Sequence, residues 1–275
     1  MRVRLCPAVG AALVVALAVS GRASAVGPWP GLAQSVVGAG GHVRYSASHA
    51  NGSTTVRAIR VESDEVLGSA TFEGIYGIPA VTSNGLPGGL SPNGRLLVLV
   101  EPPHYQGLRT RSTFLVLSTT PLKLMKTVTL KGEFGFDALS PDGRTLYLIQ
   151  HTASNDLVSY RVRAYDLRAK RLLARVIVDQ REPDATMRGY PVARATSRGG
   201  SWVYTLYYRP DAQPFIHALN AAQATAVCID LTWRAGSESI WGARLELAHS
   251  GRDLVVRDAT GLTVARVDTA TLAVH

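Results

Sequence analysis

The chain has 275 residues, 46% of them hydrophobic and 18% charged, with a formal net charge of +9. That length accommodates one sizeable domain or two small ones. The basic excess is spread thinly, its densest run being 168–171, so the concentrated stripe that nucleic-acid binding requires is absent and no nucleic-acid partner is expected.

At the N-terminus, Arg2 and Arg4 precede an apolar stretch over 8–19, followed by Ser20-Gly21-Arg22-Ala23-Ser24-Ala25. A basic start, a short apolar run and small residues at the cleavage position are the pattern of an export signal. The apolar run is short of the roughly 20 residues that cross a bilayer. Cleavage is expected after Ala25, leaving 26–275 as one secreted domain with 26 basic against 20 acidic residues, or +6, and no membrane span. Cys6 precedes the apolar run, so no lipid anchor is expected, and Cys228 alone remains after cleavage. It lies in the alternating stretch 226–231, which reads as a strand with a buried, inert thiol.

Downstream the chain repeats itself. Leu90-Ser91-Pro92-Asn93-Gly94-Arg95-Leu96-Leu97-Val98-Leu99 returns 49 positions later as Leu139-Ser140-Pro141-Asp142-Gly143-Arg144-Thr145-Leu146-Tyr147-Leu148. Weaker copies start at Ser197 and Ser250, and a degenerate one spans 40–45. A second marker, an apolar strand ending in a turn-forming residue, recurs at Glu62, Ser118, Asp166, Asn220 and Asp268, separated by 56, 48, 54 and 48 positions. Two markers in phase imply a structural repeat of about 50 residues. Pro-Asn-Gly and Pro-Asp-Gly are turn chemistry, because proline presets φ and Asn, Asp and Gly tolerate positive φ. The residues after each turn are β-branched and aromatic, and 161–165 alternates polar with apolar as a half-wet strand does. The loop 166–171 then joins a third strand to a fourth.

Four strands in about 50 residues match a propeller blade, which cannot bury both faces alone. The chain is therefore expected to be all-β, a β-propeller of about five four-stranded blades, or six if 85–103 or the N-terminal region holds another. No long helical period appears outside the signal. The segment 32–37 is expected to staple the first blade to the last by supplying its final strand. The Ser-Pro-Asp-Gly-Arg-x-Leu-Tyr-Leu unit, strongest at 140–148, resembles the blade motif of bacterial YVTN, lactonase-like and Tol-protein-like propellers. The segment 202–233 also resembles secreted actinobacterial propellers. This resemblance implies fold and export; it carries over no site residue.

Ligands of propellers gather at the axis or on the loops of one face. The inner strands should precede each turn, at 78–90, 135–139, 189–196 and 242–248. Counted back from the motif serine, Asp137 and Arg194 hold the same place and Glu246 lies one position off. They are the candidate channel residues, an acid and a base facing each other, or equally an ion pair with no catalytic duty. His104 and Tyr105 in one loop and His151 in the next blade are candidate ligand-binding residues on one face, or unconnected exposed side chains. None of the seven histidines after the signal has zinc-site spacing, and the Walker, Gly-x-Ser-x-Gly and His-Glu-x-x-His motifs are missing, so no metal or cofactor is expected. The expected function is a monomeric, non-enzymatic binding or scaffold propeller for a protein, glycan or peptide. The alternative is a hydrolase or lyase acting on a lactone or glycan through Asp137, Arg194, Glu246 and His151.

Overall fold

The computed structural model describes residues 31–275 apart from 105–106, 154–155, 157, 184–186 and 235; the expected export signal and Tyr105 thus lie outside the described residues. The chain is all-β and forms a β-propeller whose five antiparallel blade sheets follow one another along the sequence, with a separate two-stranded sheet of Leu32–Ala33 and Ile78–Pro79. Blade 1 contains Ser35–Val37, Val43–Ala50, Ser53–Arg60 and Val66–Glu73. Blade 2 contains Leu96–Val100, Arg111–Thr119 and Leu122–Lys131. Blade 3 contains Glu133–Leu139, Thr145–His151, Ser159–Asp166 and Arg171–Ile177, and Met187–Arg188 adds a short strand to its third. Blade 4 contains Tyr190–Thr196, Trp202–Tyr208, Phe215–Asn220 and Thr225–Asp230. Blade 5 contains Arg244–Leu247, Asp253–Arg257 and Thr263–Asp268. One short helix, Ser237–Trp241, which the sequence pattern did not anticipate, links blades 4 and 5.

The repeated serine explains why the turns recur. Ser140 Oγ donates to Asp142 Oδ1 at 2.6 Å and accepts the backbone N–H groups of Arg144 and Thr145 at 3.1 and 2.9 Å. Gly143 completes the turn at φ +70°, where other residues are strained. Ser91 repeats the latch with Asn93 and Leu96, and Ser197 with the Trp202 N–H. Ser140 is buried, so Ser140→Ala should cost about 1–2 kcal/mol through the orphaned N–H groups, read as a lower urea midpoint at unchanged slope. Ser250→Ala should shift the midpoint little, because Ser250 is exposed and accepts only Arg252 N–H at 3.3 Å.

Burial is organised between blades. The middle strands carry apolar residues on both faces: Leu97 and Leu99 pack with Val56, Ile78 and Leu117 against blade 1, whereas Val98 packs with Phe114 and Leu148 against blade 3. Tyr147, Val162, Tyr207 and Phe215 fill the seam of blades 3 and 4, and Leu206, Ile216, Leu254 and Val256 that of blades 4 and 5. Among the described residues no core cluster, strand pairing or hydrogen bond joins blade 5 to blade 1. The outward faces there are polar, with Arg44, Ser46 and Arg57 on one and Glu246, Arg257 and Arg266 on the other.

Two expectations fail here. The segment 32–37 does not close the ring: Leu32–Ala33 pairs with Ile78–Pro79, and Ser35–Val37 is the inner strand of blade 1. The fourth position of blade 5 is filled by the nearby 273–275, through the Val267–Val274 bridge and the Arg266–His275 hydrogen bonds. A local return of this kind closes a far shorter loop than pairing with residue 32 would. The region 78–90 is also not a continuous inner strand. Only isolated bridges, Gly77 to Val100 and Leu90 to Leu97, hold it to blade 2, and 80–87 leaves the sheet between them.

Candidate functional site in the axial cleft

That departure builds the site. Held by the Ala80–Pro87 bridge, the excursion crosses to blade 4, where the Ser83 N–H donates to the Pro191 carbonyl at 2.7 Å. Its return needs Gly89, at φ +86°, where a Cβ would lie 2.5 Å from the Val98 carbonyl oxygen. Val81, Phe136, Asp137 and Arg194 line open space on two sides of this layer. Towards the turns lies an open space walled by residues such as Leu86, Ser91 and Gly200. At the other end lies a cleft between blades 2, 3 and 4.

Asp137 sits at a bulge in the first strand of blade 3, where the pairing register shifts between Phe136 and Ala138. Bulges re-aim side chains, and here the carboxylate meets Arg194 of blade 4. Arg194 Nη2 donates to Asp137 Oδ1 at 2.5 Å, Nη1 to the Asp137 carbonyl at 2.6 Å, and Nε to Thr205 Oγ1 at 3.0 Å. With side chains 8% and 3% exposed, the pair is buried. The sequence alignment therefore brought together two residues that do touch.

Glu246 does not join them. Its carboxylate, 47% exposed, pairs with Arg257 on the outward face of blade 5 at 3.2 Å. The reason is register. The N–H groups of Ala248 and Gly251 make the hydrogen bonds that those of Ser140 and Gly143 make in blade 3, so Ala248 rather than Ser250 occupies the serine position. Three places back is then Leu245, which packs into the core, and its neighbour Glu246 points the other way.

A second charged group lies at the mouth of the cleft. Glu101 Oε2 accepts the Thr113 N–H at 2.9 Å and Arg109 Nη1 at 3.3 Å, while Glu133 Oε2 accepts the Arg109 N–H at 2.6 Å. The Arg109 Nε also lies 3.9 Å from Glu133, so one guanidinium serves two carboxylates. Burial pushes the Glu133 carboxyl above the ordinary range; Arg109 opposes this and Glu101 adds to it. Glu133 and Arg109 were not singled out in the sequence, because neither stands in a recognisable spacing and Glu133 belongs to a strand rather than a loop.

His151 is a correction: it ends the second strand of blade 3, is 7% exposed, and faces into the cleft's lining with its ring centroid 6.2 Å from that of Tyr160. Tyr160 in turn stacks on Tyr207 at 5.3 Å. His104 is exposed, its Nδ1 3.4 Å from the Gly107 carbonyl oxygen. His104 and His151 therefore do not form one surface site. Among the described residues no group of three or more His, Cys, Asp or Glu is placed to hold a metal ion. Cys228 is half-buried and burial pushes its thiol up to about 12, Asp179 and Asp230 adding to the rise; such a thiol is a poor nucleophile.

No protein-family model matches the chain, and no curated protein does. Solved structures do. A protein described as TolB from Agrobacterium tumefaciens is 16% identical, with a TM-score of 0.49 over 90% of this chain and 80% of that one. The β-propeller domain of Cps50 (Swd1) from Myceliophteria thermophila is 12% identical, with a TM-score of 0.48 over 87% and 65%. A protein described as a 6-phosphogluconolactonase from Bacteroides uniformis is 15% identical, with a TM-score of 0.48 over 87% and 68%. At these identities the likeness concerns the course of the chain and not its chemistry. No helix among the described residues is long and apolar enough to cross a membrane.

Proposed function

We propose that the chain is an exported, monomeric binding propeller whose axial cleft takes a small polar ligand, such as a glycan unit or the end of a peptide, without transforming it. The supporting observation is the state of the cleft's charges. Arg194 is held by Asp137 and Thr205 through all three of its nitrogens, and Arg109 is shared between Glu101 and Glu133. Groups so fixed present hydrogen-bonding edges without reorganisation, which favours recognition, and leave the Arg194 guanidinium little freedom to turn towards a developing anion. Phe134, Phe136 and Tyr207 give the cleft the apolar walls that ligand sites combine with a few polar groups.

One observation favours the alternative reading as a lactone or glycan hydrolase or lyase: Glu133, its carboxyl raised by burial, shares Arg109 with Glu101, and two neighbouring carboxyls are the groups that glycoside hydrolysis uses. Titration calorimetry of the purified full chain against mono- and oligosaccharides, sugar lactones and short peptides, with product analysis of every mixture, separates the two. The binding reading expects heat of binding that Glu101→Ala weakens at least tenfold, and unchanged ligand. Turnover of a lactone or glycan that Glu133→Gln abolishes would replace it with the enzyme reading.

A further inference from the structure

The same cleft carries more information about what enters it, and this step rests on its being the binding site. Its charged side chains comprise the carboxylates of Glu101, Glu133 and Asp137 against the guanidiniums of Arg109 and Arg194. Asp137 and Arg194 neutralise each other. That leaves one guanidinium between two carboxylates, with Glu133 6% and Glu101 29% exposed. A buried carboxylate without a full counter-charge is unfavourable, and burial raises the Glu133 carboxyl although Arg109 and His104 both act to lower it. Tyr160 also lines the cleft, 4% exposed, and its hydroxyl has only that of Tyr207 beside it, without well-formed hydrogen-bond geometry. A buried hydroxyl in that condition asks for a polar group from outside the chain.

We infer that the ligand carries a protonated amine, which sits between Glu101 and Glu133 as the missing counter-charge, and an uncharged polar group that reaches the Tyr160 hydroxyl. Amino sugars and peptide N-termini both offer this chemistry, and the two sources are separable.

The test is titration calorimetry on the purified full chain at pH 7 with four probes: methyl glucosaminide, its N-acetyl counterpart, trialanine and N-acetyl-trialanine. One amine-bearing probe should bind at least tenfold more tightly than its acetylated partner, and which pair shows the difference identifies the source. Glu101→Gln should erase most of that discrimination, and Tyr160→Phe should weaken the same probe three- to tenfold, both at an unchanged thermal midpoint. The free-versus-acetylated comparison needs no variant, so a misfolded mutant cannot obscure the result. Acetylated probes binding as tightly as free ones would overturn the amine inference while leaving the cleft as the binding site. Failure of all four probes, where the wider saccharide and peptide panel succeeds, would overturn it equally; failure of the wider panel as well would remove both readings.

Discussion

Arg194→Ala should destabilise the protein by about 3–5 kcal/mol, lowering the calorimetric midpoint by roughly 10 °C, because it strands a buried carboxylate. Asp137 is 3% exposed and takes its charged partner from the next blade alone. The pair is also a polar link across the seam between blades 3 and 4, where the Tyr147 hydroxyl donates to the Ala221 carbonyl at 2.8 Å and Val162 and Phe215 supply apolar packing. Replacing both partners with leucine removes the charge together with its counter-charge and should recover most of the loss, because a buried ion pair adds little net stability over apolar residues of similar volume. A single variant no less stable than the double one would mean that water reaches Asp137 and that the layer between the two axial spaces is open.

The second large effect is a loss of stability in mild acid. His217 lies in the third strand of blade 4, 2% exposed, and neither ring nitrogen has a hydrogen-bond partner among the described residues. Burial lowers it from 6.5 to about 4, with Arg194 acting in the same sense and Asp137 and Asp179 against it. Above pH 6.5 the ring is neutral whether the chain is folded or not. As pH falls below 6.5 the unfolded ring takes a proton that the folded ring refuses, so stability declines until about pH 4, by roughly 3 kcal/mol in all. His217→Leu should abolish this part of the pH dependence and be no less stable at pH 7, because it removes two unsatisfied nitrogens. Asp179 does not confound the comparison: its burial is outweighed by Arg181 and the N–H groups of Cys228 and Arg181, which hold it at about 2, so its contribution is lost only below the ordinary value of 3.8. Glu133, with its raised carboxyl, acts in the opposite direction but is common to both proteins. Urea midpoints of the two proteins at pH 7, 5.5 and 4.5 provide the measurement, and parallel curves would contradict the assignment.

Much of the fold was legible because the repeat is written in local chemistry. A turn that needs serine, proline and glycine at fixed offsets announces itself in Ser91 and Ser140, and it reappears in the structure as a hydrogen-bonded latch. The same dependence explains the error in blade 5, where Ala248 occupies the latch position and Ser250 attracts the eye two residues late. Asp137 and Arg194 were found because their offset from the latch is conserved between two adjacent blades of this chain. The excursion over 80–87 and the Glu101–Arg109–Glu133 group were not legible, since both depend on contacts between residues far apart in sequence. His151 was taken for a loop residue because the strand runs one turn further than its polar composition suggests, carrying the ring inside.

The claim that organises the rest is that blades 2, 3 and 4 converge on a prebuilt polar cleft at the axis. Amide hydrogen exchange of the full chain, with and without the tightest-binding probe from the saccharide and peptide panels, tests it directly. Added protection should appear together in 101–113, 133–137 and 189–194, the segments that carry Glu101, Arg109, Glu133, Asp137 and Arg194. Protection confined to the outer strands Leu122–Lys131 and Thr225–Asp230, or to the turns at Ser91, Ser140 and Ser197, would place the ligand elsewhere and contradict the account.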